Sequence, residues 1–276
     1  MKHQYLNAPE LMLNLLSHGP IEKGLDASHG GMEYYNIAVD GSGLAVVADS
    51  FAALEQRVEI EKKLTWQEVY NAVQNDFLGA NGEKIRNILS TVDHYGKGRT
   101  NADKWAVKLS KNFTYEITKQ RTPDGYLMIP GLFSWANTIM FGKDVGATPD
   151  GRHAYAPINH GANPQPGFRK DGAFTAMSNA IASVQCGYGN TAPFQLELDP
   201  SITDREEAIN VIGAVIKTHF EKGGTLLNVN ILNKKDLLEA MEVMDESDMM
   251  DMLTELPEDL MAVTASQMSA NDFAHV

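Results

Sequence analysis

Apolar residues recur at helical spacing along most of the chain and at alternate positions in a few short runs. Leu6, Leu11, Leu15 and Leu16 fall on roughly one side of a short amphipathic helix over Leu6–Leu16. Glu33–Val39 (EYYNIAV) reads as a strand or the loop leading into one. Gly43–Val58 begins small and apolar and then turns charged, as a buried helix does when it emerges into water. Thr65-Trp66-Gln67-Glu68 is a capping box: the hydroxyl satisfies one free amide, Glu68 reaches back to another, and a helix to about Leu78 follows. Further helices are expected over Glu83–Val92 and Ala102–Thr118. Pro123-Asp124-Gly125 marks a turn, and Tyr126–Ile129 a strand.

Gly142–Gly172 is crowded with glycine and proline, so the pattern predicts a long ordered loop or a linker in place of a helix. Phe174–Ile181 is helical and Phe194–Leu198 strand-like. Thr203-Asp204-Arg205-Glu206 reads as a second capping box for a helix to Glu221, which Gly223-Gly224 ends. Leu226–Leu232 (LLNVNIL) is a strand with Asn228 and Asn230 on one face, and Lys234–Met244 is helical again. Helices alternating with short apolar strands argue for an α/β layered or barrel architecture. There is no internal repeat and no low-complexity tract.

At 276 residues and 43% hydrophobic the chain can bury a real core as one large or two small domains. No run approaches the ~18 apolar residues of a membrane span, and Met1–Glu10 lacks the pattern of a signal peptide. The single cysteine, Cys186, excludes an internal disulfide framework and fits a reducing, cytoplasmic setting. With 36 acidic against 23 basic residues the net charge is −13, which repels phosphate backbones and argues against nucleic-acid partners.

Generic chemical motifs are scarce. There is no Walker loop, no dinucleotide fingerprint after a strand, no H-E-x-x-H and no nucleophile elbow. The histidines never reach metal-site spacing, and His153 and His160 read as solvated loop residues. Asp245-Glu246-Ser247-Asp248 lacks the glycine of a calcium loop and reads as a solvated acidic turn. Cys186 has no basic partner in sequence and reads as a small buried residue. Asn228 and Asn230 either line a pocket or face water.

Longer strings carry more. Glu22-Lys23-Gly24-Leu25-Asp26 is followed by Gly30-Gly31 and Tyr35-Asn36. Gly43–Leu54 reads GLAVVADSFAAL, and Gly142–Gly167 holds GKDVGATPDGR, then AP, then GANPQPG. Gly223-Gly224 precedes LLNVNIL and then Leu238-Glu239-Ala240-Met241-Glu242. In this order and spacing, over residues 6 to about 242, the chain resembles the glycyl radical enzymes of the pyruvate formate-lyase type. PFQLELDPS and the EKGLD string tilt the likeness towards the branch of dehydratases, decarboxylases and amine lyases, whereas GGTLLNVNIL is closer to pyruvate formate-lyase itself.

That resemblance implies a ten-stranded α/β barrel, here partial, with a small-molecule substrate inside it. Residues 1–244 would be the barrel segment and 245–276 a divergent acidic, Met-rich tail. Gly131–Phe141 would line part of the pocket, with Trp135, Asn137 and Thr138, together with Asn228 and Asn230, as candidates. Asp49, Asp150 and Arg152 would be structural, the last two tying down irregular backbone. The family uses no bound cofactor; its radical sits on a protein glycine, is installed by a radical-SAM activating enzyme, and passes to a cysteine. Cys186, in the context VQCGYGN, does not match that cysteine, and no glycine follows Gly224 in these 276 residues. No residue here is therefore assigned a catalytic role or a metal. The chain is expected to be inactive alone and to need a complementary polypeptide or a homo-oligomer. The alternative is a degenerate homologue acting as a binding or structural subunit.

Overall fold

The computed structural model describes residues 4–123, 125–133, 137–166 and 174–231. The expected helix over Leu6–Leu16 is broken. Short helices α1 (Gln4–Asn7) and α2 (Leu11–Leu16) flank Pro9, which cannot donate to a continuous helix, and α2 buries no residue. After α3 (Pro20–Lys23), Asp26 knots this segment together: its carboxylate accepts from the Asn14 side chain, the Glu10 amide and both the amide and hydroxyl of Ser28. Those donors hold the Asp26 carboxyl down at about 2.

The strand β1 (Asn36–Gly41) leads through Gly43 into α4 (Leu44–Leu54). Helices α5 (Trp66–Gln74), α6 (Gly82–Ser90) and α7 (Asn101–Thr118) follow. The capping box at Thr65 and Glu68 is formed, and Thr100 with Asp103 makes a second one at α7. Then come β2 (Leu127–Leu132), α8 (Thr138–Val145), α9 (Phe174–Ser183), β3 (Phe194–Leu198), α10 (Ala208–Glu221) and β4 (Leu227–Ile231). Two expectations fail here. Residues 142–145 end α8 and are helical despite Gly142. The start of α10 is not the box at 203–206: Asp199 caps a 3-10 turn over Pro200–Asp204, and α10 begins only at Ala208, without a side-chain cap.

Among the described residues both strand pairs are parallel. β1 pairs with β2, Asn36 opposite Leu127, and β3 pairs with β4, Phe194 opposite Leu227. The two pairs are joined where the chain approaches β3: the Asn190 amide donates to the Pro130 carbonyl and the Leu132 amide to the Thr191 carbonyl. Among the described residues, the far edges of β1 and β4 pair with nothing and no sheet closes. The fold is thus mixed α/β, with helices crossing between parallel strands.

Small residues set the packing. Ala45, Ala48 and Ala52 on α4 meet Ala102 and Ala106 on α7, so the two helices approach closely. The same core takes in Tyr95, Ile181, Val184, Phe194, Leu196 and Leu198, and a second cluster gathers Phe77, Leu89 and Val92 under α5 and α6. Cys186, expected to be buried, is exposed just beyond the end of α9.

Candidate functional site

The densest polar chemistry lies between α4, the turn after α6 and the Gly/Pro-rich loop. Asp49 is fully buried on α4. It accepts from the Tyr95 amide at 2.7 Å, from Gln165 Nε2 at 2.8 Å and from His94 Nδ1 at 2.9 Å. Gln165 Nε2 also reaches Asp150 at 2.5 Å, and Asp150 accepts from the hydroxyls of Thr148 and Ser50. One amide thus bridges two buried carboxylates.

Burial pushes the Asp49 carboxyl up, against the pull of His94. Burial would lower His94, yet the bond and charge of Asp49 raise it overall. Its other nitrogen lies 3.1 Å from the Ser90 carbonyl, so both ring nitrogens face acceptors, which suits an imidazolium.

Arg152 fixes the same loop by a different route. Its guanidinium donates to the carbonyls of Gly142 (3.3 Å), Ala156 (2.5 Å) and Gly146, and to Thr148 Oγ1 (3.2 Å). Gly151 sits at φ +92° between Asp150 and Arg152, a backbone setting that suits glycine. The loop therefore needs no regular secondary structure, because side chains satisfy its carbonyls.

A second polar surface covers one face of the β3–β4 pair. Phe194, Leu196 and Leu198 point into the core, leaving Gln195 opposite Asn228 and Glu197 opposite Asn230 on the other face. Asn228 and Asn230 are exposed there. His160, from the Gly/Pro-rich loop, lies 3.2 Å from Gln195 Nε2 and against the Phe133 ring. Asn163 clamps β3 by exchanging two bonds with the Gln195 backbone. Burial lowers His160, which favours the neutral ring.

Where β1 ends, a cavity of about 350 Å³ opens between α4 and α8. Val46, Val47, Phe141 and Ile158 line it together with Asp40 and Asp144.

The candidates named from sequence separate accordingly. Asp49 and Asp150 come together through Gln165, and Arg152 stands on the same loop without bonding either carboxylate. Asn228 and Asn230 share a face with Gln195. Asn137 is exposed at the start of α8. Thr138 is buried, at 1% exposed, and its carbonyl accepts from the Ile158 amide. Trp135 lies outside the described residues. Sequence reading missed His94, Gln165 and Gln195, and it took His160 for a solvated loop residue where the structure packs it against Phe133 and Gln195. Gln165 stands inside the GANPQPG string and was open to notice; His94 carries no local signal. Among the described residues no group of histidine, cysteine and carboxylates is arranged to hold a metal, and no helix is long and apolar enough to cross a membrane.

Comparison with known proteins gives two family matches. The pyruvate formate lyase-like model matches residues 2–142 and the glycine radical model residues 158–250. Trans-4-hydroxy-L-proline dehydratase of Clostridioides difficile is 26% identical over 221 residues, 80% of this chain and 28% of that protein. Formate acetyltransferase of Haemophilus influenzae is 28% identical over 257 residues, 88% of this chain and 32% of that protein. The glycerol-bound B12-independent glycerol dehydratase from Clostridium butyricum superposes with a TM-score of 0.79 at 26% identity, covering 91% of this chain and 34% of that one. The chain thus spans about a third of the length of these relatives.

Proposed function

The chain belongs to the pyruvate formate-lyase-like family of glycyl radical enzymes, and from that premise we propose that it is a barrel segment of a glycyl radical lyase that does not itself store the radical. Residues 1–244 form the barrel segment in this reading and 245–276 stand in place of a radical loop. The substrate is a small metabolite whose C–C, C–O or C–N bond is cleaved. The polar face of Gln195, Asn228 and Asn230 is the part of the pocket wall this chain would contribute, with Trp135 and Asn137 nearby in sequence to β2.

One observation carries the proposal. The glycine radical model matches 158–250, yet no glycine follows Gly224 anywhere in the 276 residues. A glycyl radical is planar and shared between the neighbouring amide groups, and it forms by loss of one of two α-hydrogens. Every other residue has a side chain where one of those hydrogens would be, and that side chain crowds the backbone path. The residues present after Gly224 therefore do not fit the radical. Cys186, exposed after α9, is likewise no partner for it.

A second reading, a binding or structural subunit without turnover, is favoured by exposed apolar surface on α2. There Leu11, Met12, Leu15 and Leu16 are each at least 65% exposed, and the unpaired edges of β1 and β4 offer pairing to another chain. Electron paramagnetic resonance separates the possibilities. After anaerobic incubation of the 276-residue chain with a radical-SAM activating enzyme, no glycyl doublet is expected. A doublet on this chain alone overturns the proposal. A doublet that appears only with a complementary polypeptide supports a split lyase, and none in either case supports the subunit without turnover.

A further inference from the structure

The cavity at the end of β1 shares no residue with the polar face of β3 and β4. At about 350 Å³ it falls within the ~300–1,000 Å³ range of small-molecule sites. Its apolar lining combines buried Val46 and Ile158 with exposed Val47, Phe141 and Val145. Its charged lining is of one sign. Asp40 and Asp144 are there, and among the described residues no lysine, arginine or histidine is.

Asp40 leaves β1 opposite Gly131, where any side chain would collide with its carboxylate, and the Asn190 side-chain amide donates to its Oδ1 at 3.0 Å. One oxygen is thereby fixed, and Oδ2 has no bond among the described residues. The Asp144 carboxylate is exposed and has neither a hydrogen bond nor an ion pair among those residues. It stands in the last turn of α8, where the free helix carbonyls already make the surroundings negative and a carboxylate is unfavourable. Its neighbour Lys143 does not offset this in the cavity, because its Nζ lies over the Tyr155 ring, outside the lining.

We propose that this cavity binds a small organic ammonium, a protonated amine on an apolar body. The ammonium lies between Asp40 and Asp144, and the body packs on Val46, Val47 and Phe141, whose ring also attracts a cation. The amino end of α4 opens on the same cavity and opposes a cation, but a helix end carries about half a charge against two full carboxylates. An anionic ligand would meet two like charges there. A hard metal ion takes about six oxygens or more, which this apolar lining does not supply, and among the described residues no group is arranged to hold one. The site does not depend on whether the chain takes part in a radical reaction.

Binding to the 276-residue chain is read by saturation-transfer NMR and calorimetry. At about 150 mM salt the general field of a chain of charge −13 is screened beyond ~8 Å. Three probes of matched shape are compared: phenethylammonium, phenethyl alcohol and hydrocinnamate. The ammonium is expected to bind about tenfold tighter than hydrocinnamate or better, with the alcohol between them. Asp144→Asn is expected to weaken the ammonium about threefold or more and leave the alcohol unchanged, a split that loss of folding does not produce. Val47→Trp, which fills the cavity from an exposed position, is expected to remove binding of both. Equal affinity for the three probes, no detectable binding of the ammonium, or an ammonium affinity that either variant leaves unchanged overturns the proposal.

Discussion

Replacing Arg152 by alanine tests how the Gly/Pro-rich loop is held. The guanidinium is nearly buried and donates to three carbonyls, of Gly142, Gly146 and Ala156, and to Thr148 Oγ1. Truncation leaves all of these acceptors facing the space it vacates. A buried acceptor without a partner costs about 1–3 kcal/mol. Two effects reduce the total. Water can enter part of the vacated space, and the protein no longer has to desolvate a guanidinium, whose burial already depresses its proton affinity. The net loss is expected at about 2–3 kcal/mol, which for a chain of this size lowers the melting temperature by roughly 4–12 °C. Urea denaturation followed by circular dichroism reads the loss. Arg152→Lys separates charge from geometry, because one ammonium cannot reach acceptors spread on both sides of the planar fork. It is expected to recover less than half of the loss. Arg152→Ala within about 0.5 kcal/mol of the parent, the usual range of a plain surface change, would refute the argument that this side chain organises the loop.

Stability should also have two opposed pH limbs. Asp49 raises His94 above its ordinary value, so that contribution is complete below about pH 6.5 and is lost as pH rises through the folded value. Burial lowers His219 and His160, so the fold loses stability as pH falls below about 6.5 and the unfolded chain takes up protons they refuse. His94→Gln should flatten only the alkaline limb in denaturation series from pH 5 to 9; loss of the acid limb instead would contradict this assignment. Gly151→Ala should cost more than Gly223→Ala. Both backbones are left-handed, at φ +92° and +90°, costing about 1–2 kcal/mol each, but a methyl at 151 would also stand 3.0 Å from Ser90 Cβ whereas at 223 it meets open space. Equal melting shifts for the two would rule out crowding at 151.

What the sequence disclosed follows from how far apart the interacting residues are. Local signals were readable: the capping box at Thr65 and Glu68, the alternation of β3, and the shared face of Asn228 and Asn230 each depend on residues two or three apart. The start of α10 was misread because Asp199 competes for the same stretch, capping a 3-10 turn before the helix can form. Exposure was less legible still. Leu11, Leu15 and Leu16 have the spacing of a buried stripe, yet among the described residues nothing covers them. Hydrophobic spacing reports that a surface needs a partner without saying which segment or molecule supplies it. The site depends on longer range again. Asp49 meets Gln165 across 116 residues and His94 across 45, and no periodicity encodes either distance. The long strings located two of these parts, GLAVVADSFAAL around Asp49 and GANPQPG around Gln165, and the fold explains why they occur together. The amide of Gln165 lets two carboxylates share one buried site, and His94 brings the positive charge that such a site requires. A histidine outside every recognisable string was therefore the residue hardest to find and the one on which the cluster's charge balance depends.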